Sequence, residues 1–555
     1  MRLVVIPDYK DIFDDRTSIE DLLIGISSAT LIPILSWINA QLHNAPDDKT
    51  VDDDILNSLM ARLPEHTRDT IKGRCERRGY EDRDRRIFTA LHVTYFLHYE
   101  LNNYRAGPRL ADTQPEHELN IIKAYLLIVS KYNERNSVLP EVDRQDRHYF
   151  LKRTWPSLTI QHEFNRRVDP AFEMMKLHLL FNYLENGKYV KCAQQYNEIM
   201  GCSNLQELVH QLAEVMKKSF DKTPKGDKHF YLTVGVNYFP ILDHLSHSES
   251  IQNDWEAGSL LSMKAKPLFK AADGEYCVLN WDFFYSAVYE AVLRDLHKRT
   301  DLARSFPKWE NFKSDVALEV IERKMFRAVM KLIFNSRHDV LHFDEDGTEP
   351  DCYARTGRYV FLFEMKDTGL GERIQSNFDY DALIQDLERK FVGTTEAGKK
   401  KPKATRQLLR YIDRFFSLEL NFDDLRRVKH QNVLIYPIVV YSGYHFSMPG
   451  INEYVNESYE LERKHNSYAL TMISLEYLFL NAVRLRKRGL RDLLNTYHKK
   501  RKQNMKKFIV DGGADHALKA YSPIEESSSY IGTTSYNPDP RFLHDFFRAA
   551  CSPMN

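Results

Sequence analysis

The sequence contains few chain-breaking residues, with 22 glycines and 21 prolines among 555 residues. Proteins on average contain about 12% of these two types together, which is more than this chain has. The shortage excludes collagen-like and low-complexity classes and favours long helices. Hydrophobic residues make up 43% of the chain. The length and this apolar share predict about two to four domains with packed cores.

Cysteine is also scarce and scattered, because the six cysteines form no Cys-x-x-Cys pair. That spacing argues against a structural zinc or iron–sulfur site and against a disulfide framework. We therefore expect a reducing, cytoplasmic location. The opening residues MRLVVIPDYKDIFDDR contain no apolar signal-peptide core, and no apolar run is long enough to cross a bilayer. We expect no association with a membrane.

Charge of one sign is not in excess, since 78 basic residues balance 78 acidic ones. The balance excludes a histone-like chain but leaves room for a local basic surface. The segment 484–507 contains eleven Lys or Arg residues, with leucines at helical spacing between them. One helical face could then pack while the other contacts phosphates, although such runs also coat ordinary solvated helices. The residues predicted to contact nucleic acid are Lys400, Lys401, Lys403, Arg486, Lys487 and Arg488.

The pattern along the chain predicts four regions. Residues 1–254 form a mostly helical domain of unassigned role, which could bind a protein partner or a second copy of the chain. Residues 255–455 mix strands with helices, and residues 456–521 form a basic helical extension. Residues 522–555 read as a polar linker followed by a short terminal helix.

Region 255–455 predicts a mixed sheet flanked by helices. Asp273-Gly274 is a common turn pair and predicts a hairpin. Two further strands are expected on either side of Thr356-Gly357, after a long helix at about 311–334. The segment Asn432 to Tyr441 is almost wholly apolar, as strands covered on both faces are. The fold class expected here is α/β.

Three ionisable residues lie at the ends of the second hairpin. Pro350-Asp351 precedes one strand, and Glu364-Met365-Lys366 ends the other. Glu364 and Lys366 project from one face because strand side chains alternate. With the turn at Thr356-Gly357, Asp351 is expected opposite Leu362, within diagonal reach of Glu364. Charged groups that emerge from a buried strand are costly unless they are paired or bound to a metal.

This set of side chains suits phosphodiester hydrolysis. Two carboxylates, Asp351 and Glu364, can bind Mg²⁺ or Mn²⁺ through oxygen while leaving positions for water and phosphate. The cation acidifies water and offsets the charge that builds on phosphate oxygens. Lys366 can orient the attacking water or stabilise that charge. We favour this electrostatic role over a general-base role because neighbouring carboxylates keep a lysine protonated.

The arrangement resembles the PD-(D/E)xK nuclease superfamily, which has the restriction-endonuclease-like fold. Pro350-Asp351 stands at the PD position and Glu364-x-Lys366 at the (D/E)xK position. The family often carries an acidic residue on the preceding helix, where Glu322 matches better than Glu319. One exonuclease branch has a Q-x-x-x-Y motif, which Gln407 and Tyr411 match after an unusually long gap. The resemblance covers about residues 260–445.

The resemblance implies a Mg²⁺-dependent nuclease, acting on DNA more readily than on RNA. A nuclease joined to an unassigned helical module is similar to proteins of bacterial defence against foreign DNA. Two other interpretations remain open: a catalytically inactive nuclease fold that binds nucleic acid or serves as a scaffold, and an effector that cleaves RNA. The sequence contains no Walker loop, G-x-G-x-x-G or H-E-x-x-H motif that would favour another enzyme class.

Overall fold

A computed structural model describes most of the chain. The described residues are 4–43, 49–76, 84–110, 113–136, 141–142, 146, 148–155, 168–223, 226–248, 260–345, 347–371, 374, 379–396, 399–420, 422–423 and 432–525. The chain divides into two compact units, the first of Met1–Leu139 with Phe164–Pro307 and the second of Pro140–Glu163 with Lys308–Asn555. None of the described helices has the length and the apolar content that crossing a membrane requires.

The first unit is mostly helical, as the sequence predicted. A capping side chain begins the helix Leu205–Lys218, because Asn204 Oδ1 accepts the backbone N–H of Glu207 at 2.9 Å. The helices are Tyr9–Ile12, Ile19–Leu22, Ser28–Leu42, Lys49–Leu59, Glu65–Glu76, Ala90–Asn102, Pro115–Asn136, Pro170–Glu185, Val190–Met200, Leu205–Lys218, Phe239–His244, Leu261–Ala265, Trp281–Arg299 and Leu302–Ser305. A single turn of 3₁₀-helix covers Val236–Tyr238.

Two small sheets belong to the first unit. The strands are β1 (Val4–Val5), β2 (Asp84–Arg85), β3 (Tyr231–Thr233), β4 (Ser246–His247), β5 (Leu268–Ala272) and β6 (Glu275–Val278). β1 pairs with β2, and the other four form a sheet in the order β3-β6-β5-β4. The predicted hairpin is confirmed, since Ala272 pairs with Glu275 around Gly274, whose φ of 76° favours glycine.

That hairpin does not share a sheet with the carboxylate site. Its neighbours are β3 and β4, and the first unit extends to Pro307. The sequence boundary at residue 255 followed the change from helical to mixed patterning. The structure instead changes unit between Pro307 and Lys308, because the hairpin pairs with strands from before residue 255.

The second unit contains the larger sheet. Its strands are β7 (Asp339–His342), β8 (Cys352–Thr356), β9 (Tyr359–Lys366), β12 (Leu434–Tyr441) and β13 (Thr471–Ser474), in the order β13-β12-β9-β8-β7. β7, β8 and β9 are antiparallel neighbours, whereas β12 runs parallel to both β9 and β13. A separate hairpin pairs β10 (Gly393–Glu396) with β11 (Lys399–Pro402). Lys400 and Lys401, which are predicted to contact nucleic acid, therefore lie on a paired strand.

Helices cover both faces of the larger sheet, and the α/β expectation is confirmed at that level. They are Trp309–Val316, Ala317–Phe326, Arg327–Ile333, Tyr380–Leu387, Glu388–Val392, Ala404–Phe416, Ile451–Glu462, Leu475–Arg488, Leu490–Asp511 and Ala514–Tyr521, with a further helix at residues 149–155. The first three are continuous, and we call them the Glu322 helix; Ala404–Phe416 is the Tyr411 helix. The Glu322 helix places Phe326 against Phe363 of β9, with ring centres 6.2 Å apart. The Tyr411 helix packs with Leu362 and Val439 on the opposite face.

The basic segment 484–507 lies on two helices, whereas the extension predicted over 456–521 also contains strand β13 of the larger sheet. Gly489, with φ of 83°, separates Leu475–Arg488 from Leu490–Asp511, which we call the basic helix. The amphipathic pattern is confirmed, since Leu493, Leu494 and Tyr497 are buried. The polar linker and terminal helix predicted for residues 522–555 fall outside the described residues beyond position 525.

Candidate active site

The β8–β9 hairpin brings Asp351 and Glu364 opposite each other. Thr356 pairs with Tyr359 and Cys352 pairs with Phe363, so the next position in the register joins Asp351 to Glu364. The prediction that Asp351 faces Leu362 is therefore wrong by two residues. The turn uses Gly357-Arg358 instead of Thr356-Gly357, and moving a turn by one residue moves the facing partner by two. Gly357 has a φ of 59° there, which glycine adopts without strain.

The backbone of β9 fixes the Asp351 carboxylate. Its Oδ2 accepts the N–H of Met365 at 2.6 Å, which holds the side chain across the end of the strand. Burial raises the pKa of Asp351, and the Lys366 charge only partly offsets this effect. The ionised carboxylate is therefore held in a site where its charge is unfavourable unless a cation is added.

Glu364 has one carboxylate oxygen paired and one unpaired. The residue is 1% exposed, and its Oε1 accepts the Lys366 ammonium at 2.7 Å. Its Oε2 is buried and has no hydrogen-bond partner among the residues that the structure describes. Burial raises the pKa of Glu364 to about 8, with further contributions from the charges of Asp351 and Glu322. A buried oxygen without a donor is rare in folded proteins and calls for a ligand to satisfy it.

Lys366 remains protonated in this site. Burial lowers the pKa of Lys366, but the carboxylates of Glu364 and Asp351 raise it by more, so that it lies above the ordinary value. Its side chain is 22% exposed and thus reaches the surface next to two buried carboxylates. An ammonium that keeps its proton suits charge stabilisation and has no free electron pair to accept another.

The Glu322 helix contributes a third carboxylate through a π-helical segment, Ala317–Phe326. Burial and the nearby charge of Asp351 raise the pKa of Glu322 to about 7. Glu319, the other residue considered from the sequence, instead forms an ion pair with Arg323 at 2.6 Å. The structure therefore brings Glu322, and not Glu319, to the pair of carboxylates. π-Helical turns of this kind frequently occur at functional sites.

The two residues of the Q-x-x-x-Y motif differ in position. Tyr411 is buried, and its pKa is raised by burial and then by the charges of Glu364 and Asp351, which places it beside the carboxylates. Gln407 is half-buried one turn earlier on the same helix. Within the described part of the chain, its side chain forms no hydrogen bond with those carboxylates. Of the two, Tyr411 is the one whose pKa responds to the charges of the carboxylates.

Sequence reasoning missed Arg327. This residue is 5% exposed, donates to the backbone oxygen of Asp344, and bonds the Glu345 carboxylate at 2.5 Å. Its charge lowers the pKa values of Asp351 and Glu322. Arg327 follows Glu322 by five residues, and an i, i+5 pair shares a face only where a helix is π-helical. No sequence pattern indicated that segment, so the pair could not be found from ordinary helical spacing.

The donor set fits a hard divalent cation. Asp351 and Glu364 offer carboxylate oxygens, and Glu364 Oε2 has no hydrogen-bond partner among the described residues. Among the described residues there is no group of three or more His, Cys, Asp or Glu side chains arranged to hold a metal. Two carboxylates are sufficient for Mg²⁺, which usually retains several waters and binds one or two protein carboxylates.

The basic residues predicted to bind nucleic acid are exposed where they are described. Lys403, Arg486 and Lys487 all lie at the surface of the second unit. The side chains of Lys400, Lys401 and Arg488 are outside the described set. Lys403 immediately precedes the Tyr411 helix, whose first residue is Ala404.

The site therefore contains Asp351, Glu364 and Lys366 at one sheet end, with Glu322 and Tyr411 reaching it from helices on opposite faces. Burial and like charge raise the pKa values of all three carboxylates. No protein-family model, curated protein or solved structure matches this chain.

Proposed function

We propose that the second unit is a metal-dependent nuclease of the PD-(D/E)xK type, which hydrolyses phosphodiester bonds of nucleic acid, DNA more readily than RNA. The observation that carries the proposal is the unpaired, buried Oε2 of Glu364, opposite Asp351 and next to the protonated Lys366. A carboxylate oxygen in that position is costly unless it binds a cation. Cytoplasmic defence against foreign DNA would be a suitable role for such an enzyme.

Asp351 and Glu364 would hold Mg²⁺ or Mn²⁺, the cofactor of this proposal. The bound cation would acidify water and offset negative charge on the phosphate. The hydrogen bond from Met365 N–H to Asp351 holds that carboxylate before any ligand arrives. Such preorganisation avoids a reorganisation cost at the moment of reaction.

Lys366 would stabilise charge on the scissile phosphate. Its ammonium is bonded to Glu364 Oε1, which directs it toward the sheet end, and its partial exposure lets substrate reach it. Because Lys366 stays protonated, it would act by its charge and by orienting water. Glu322, with its raised pKa, would position the surrounding groups or take up a proton near neutral pH.

Exposed cations of the second unit would hold the nucleic-acid backbone. Arg486 and Lys487 end one helix, and Lys499, Lys502 and Lys506 lie exposed along the basic helix. The last three are spaced three and four residues apart, so they share one helical face. Cations on one face can follow successive phosphates without reading the base sequence.

Cleavage of supercoiled plasmid with Mg²⁺ tests this function. The wild type should nick or linearise the plasmid, whereas Lys366→Ala and Asp351→Ala should leave it intact. Lys464→Ala is a matched control, because Lys464 is 75% exposed and pairs with Asp413 on the surface. Equal cleavage by the wild type and both site variants would refute the assignment.

The same preparation separates the two alternatives. A catalytically inactive nuclease fold would bind DNA equally in EDTA and in Mg²⁺ and would cut nothing. An RNA-cleaving effector would degrade total RNA while duplex DNA survived. Either outcome would replace DNA cleavage as the function of the second unit.

A further inference from the structure

The first unit contains a cavity of about 370 Å³, which lies within the size range of small-molecule sites. Helix Ser28–Leu42 forms one wall with Ile34 and Trp37, which are three residues apart and share a face. Phe230 lines the cavity as well. Trp37 and Phe230 are both only half-buried, so aromatic surface remains available to a ligand.

Two arginines line the same cavity, and they differ in how they are paired. Arg62 is tied to the protein, since its backbone N–H bonds Glu118 at 2.9 Å and its guanidinium bonds the Thr113 carbonyl. Glu118 is only 8% exposed and also accepts the Thr113 hydroxyl at 3.4 Å. The Glu118 carboxylate in the cavity wall is therefore already hydrogen-bonded to Arg62 and Thr113.

Arg109 is the second arginine of the cavity, and its charge is not paired with a carboxylate of the described residues. Its guanidinium lies 5.5 Å from the ring centre of Tyr231, a cation–π contact that positions the group without neutralising it. Among the described residues, no carboxylate forms an ion pair with Arg109. The side chain is exposed at the cavity, where an incoming anion could form paired hydrogen bonds with the guanidinium fork.

We propose that this cavity binds a small organic anion with a planar ring, the ring against Trp37 and Phe230 and the anionic group on Arg109. Apolar walls with a few placed polar groups are the usual form of a ligand site. The anion could be the phosphate of a nucleoside monophosphate or the carboxylate of an aromatic acid. This site is in the first unit and does not depend on the proposed nuclease function.

Calorimetric titration of the full chain with AMP and, separately, with indole-3-acetate tests the site. At least one of the two should bind, and Arg109→Gln should weaken binding at least tenfold, because an arginine–phosphate or arginine–carboxylate pair would be lost. Adenosine, which has the ring but no charge, should bind at least tenfold more weakly than AMP if AMP is the ligand. Arg304→Gln is the matched control, since that side chain is 85% exposed and pairs with Asp301.

A second variant, Trp37→Leu, keeps an apolar side chain and removes the ring. It should lower the affinity for the same ligand about tenfold, while its melting temperature stays that of the wild type. Binding of AMP alone or of indole-3-acetate alone supports the site and identifies the anion class. Binding of neither, or unchanged affinity in Arg109→Gln, would overturn the proposal.

Discussion

Lys366 Nζ lies 2.7 Å from Glu364 Oε1, two residues away on the same face of β9. This contact satisfies one oxygen of a carboxylate that is almost fully buried, while the other oxygen has no donor within the described part of the chain. Lys366 thus gives Glu364 Oε1 a partner but gives none to Oε2. A cation at Oε2 would give that oxygen a partner.

Neutralising Asp351 should separate activity from stability. Asp351→Asn keeps an oxygen that can accept the Met365 N–H but removes a charge that the fold disfavours. Since the folded-state pKa of Asp351 is raised, its ionised form destabilises the metal-free protein at pH 7, and the variant should melt roughly 2 °C higher. Its Mg²⁺-dependent cleavage should fall on the order of 1000-fold. Differential scanning calorimetry in EDTA and a plasmid assay measure the two effects, and a lower melting temperature would argue against charge strain at Asp351.

The two glutamates of the π-helical segment should respond differently. Glu322→Gln should lower the cleavage rate about tenfold, because Glu322 lies close enough to Asp351 for the two charges to interact. Glu319→Gln should stay within about twofold of the wild type, since Glu319 pairs with Arg323 at the surface of the helix. Initial rates on one plasmid substrate compare the two variants. A larger loss in Glu319→Gln than in Glu322→Gln would reverse our assignment.

The Tyr411 helix offers a similar comparison. Tyr411→Phe removes only a hydroxyl from a buried ring beside the carboxylates and should slow cleavage up to about tenfold. Gln407→Ala should change the rate by less than about twofold, because its side chain makes no hydrogen bond with Asp351 or Glu364 within the described chain. If instead Gln407→Ala abolished cleavage and Tyr411→Phe did not, the motif would act through contacts that arise only with substrate.

Much of the second unit could be predicted from sequence because its signals are local. The apolar runs of β9 and β12 and the alternation that places Glu364 and Lys366 on one face depend only on neighbouring residues. The register was missed because Thr356-Gly357 and Gly357-Arg358 are both plausible turns, and pairing across the sheet decides between them. Arg327 was missed because a π-helical turn has no sequence signature that ordinary helical spacing reveals.

The first unit should lose stability in mild acid through His92. This residue is 1% exposed, and burial lowers its pKa to about 3. The unfolded chain binds a proton near pH 6.5 and the folded chain does not, so stability is full above 6.5 and falls as the pH drops toward 3. Between pH 7 and pH 5 the contribution of His92 should fall by about 2 kcal/mol.

Urea unfolding at pH 7 and pH 5 measures this change. His92→Phe removes the titrating ring while keeping an aromatic side chain. The decrease in its free energy of unfolding between pH 7 and pH 5 should therefore be about 2 kcal/mol smaller than that of the wild type. His66→Phe is the control, because His66 lies on the exposed surface of helix Glu65–Glu76. An unchanged pH dependence in His92→Phe would contradict the burial argument.

Exposed cations of the second unit should set affinity for DNA. Replacing Arg486 and Lys487 together by Gln should weaken binding to a duplex and reduce the slope of log affinity against log salt by about two, if each contacts a phosphate. Lys331→Gln, an exposed lysine on the Glu322 helix, serves as a single-charge control. Fluorescence anisotropy in EDTA isolates binding from cleavage, and an unchanged salt slope would remove these two residues from the interface.

We propose that Asp351 and Glu364 together bind one divalent cation. Isothermal titration of the metal-free full chain with Mn²⁺ tests it most directly, without depending on the choice of substrate. We expect one site in the wild type and in Glu319→Gln, and no such site in Asp351→Asn or Glu364→Gln. Equal Mn²⁺ binding by all four proteins, or none by the wild type, would contradict it.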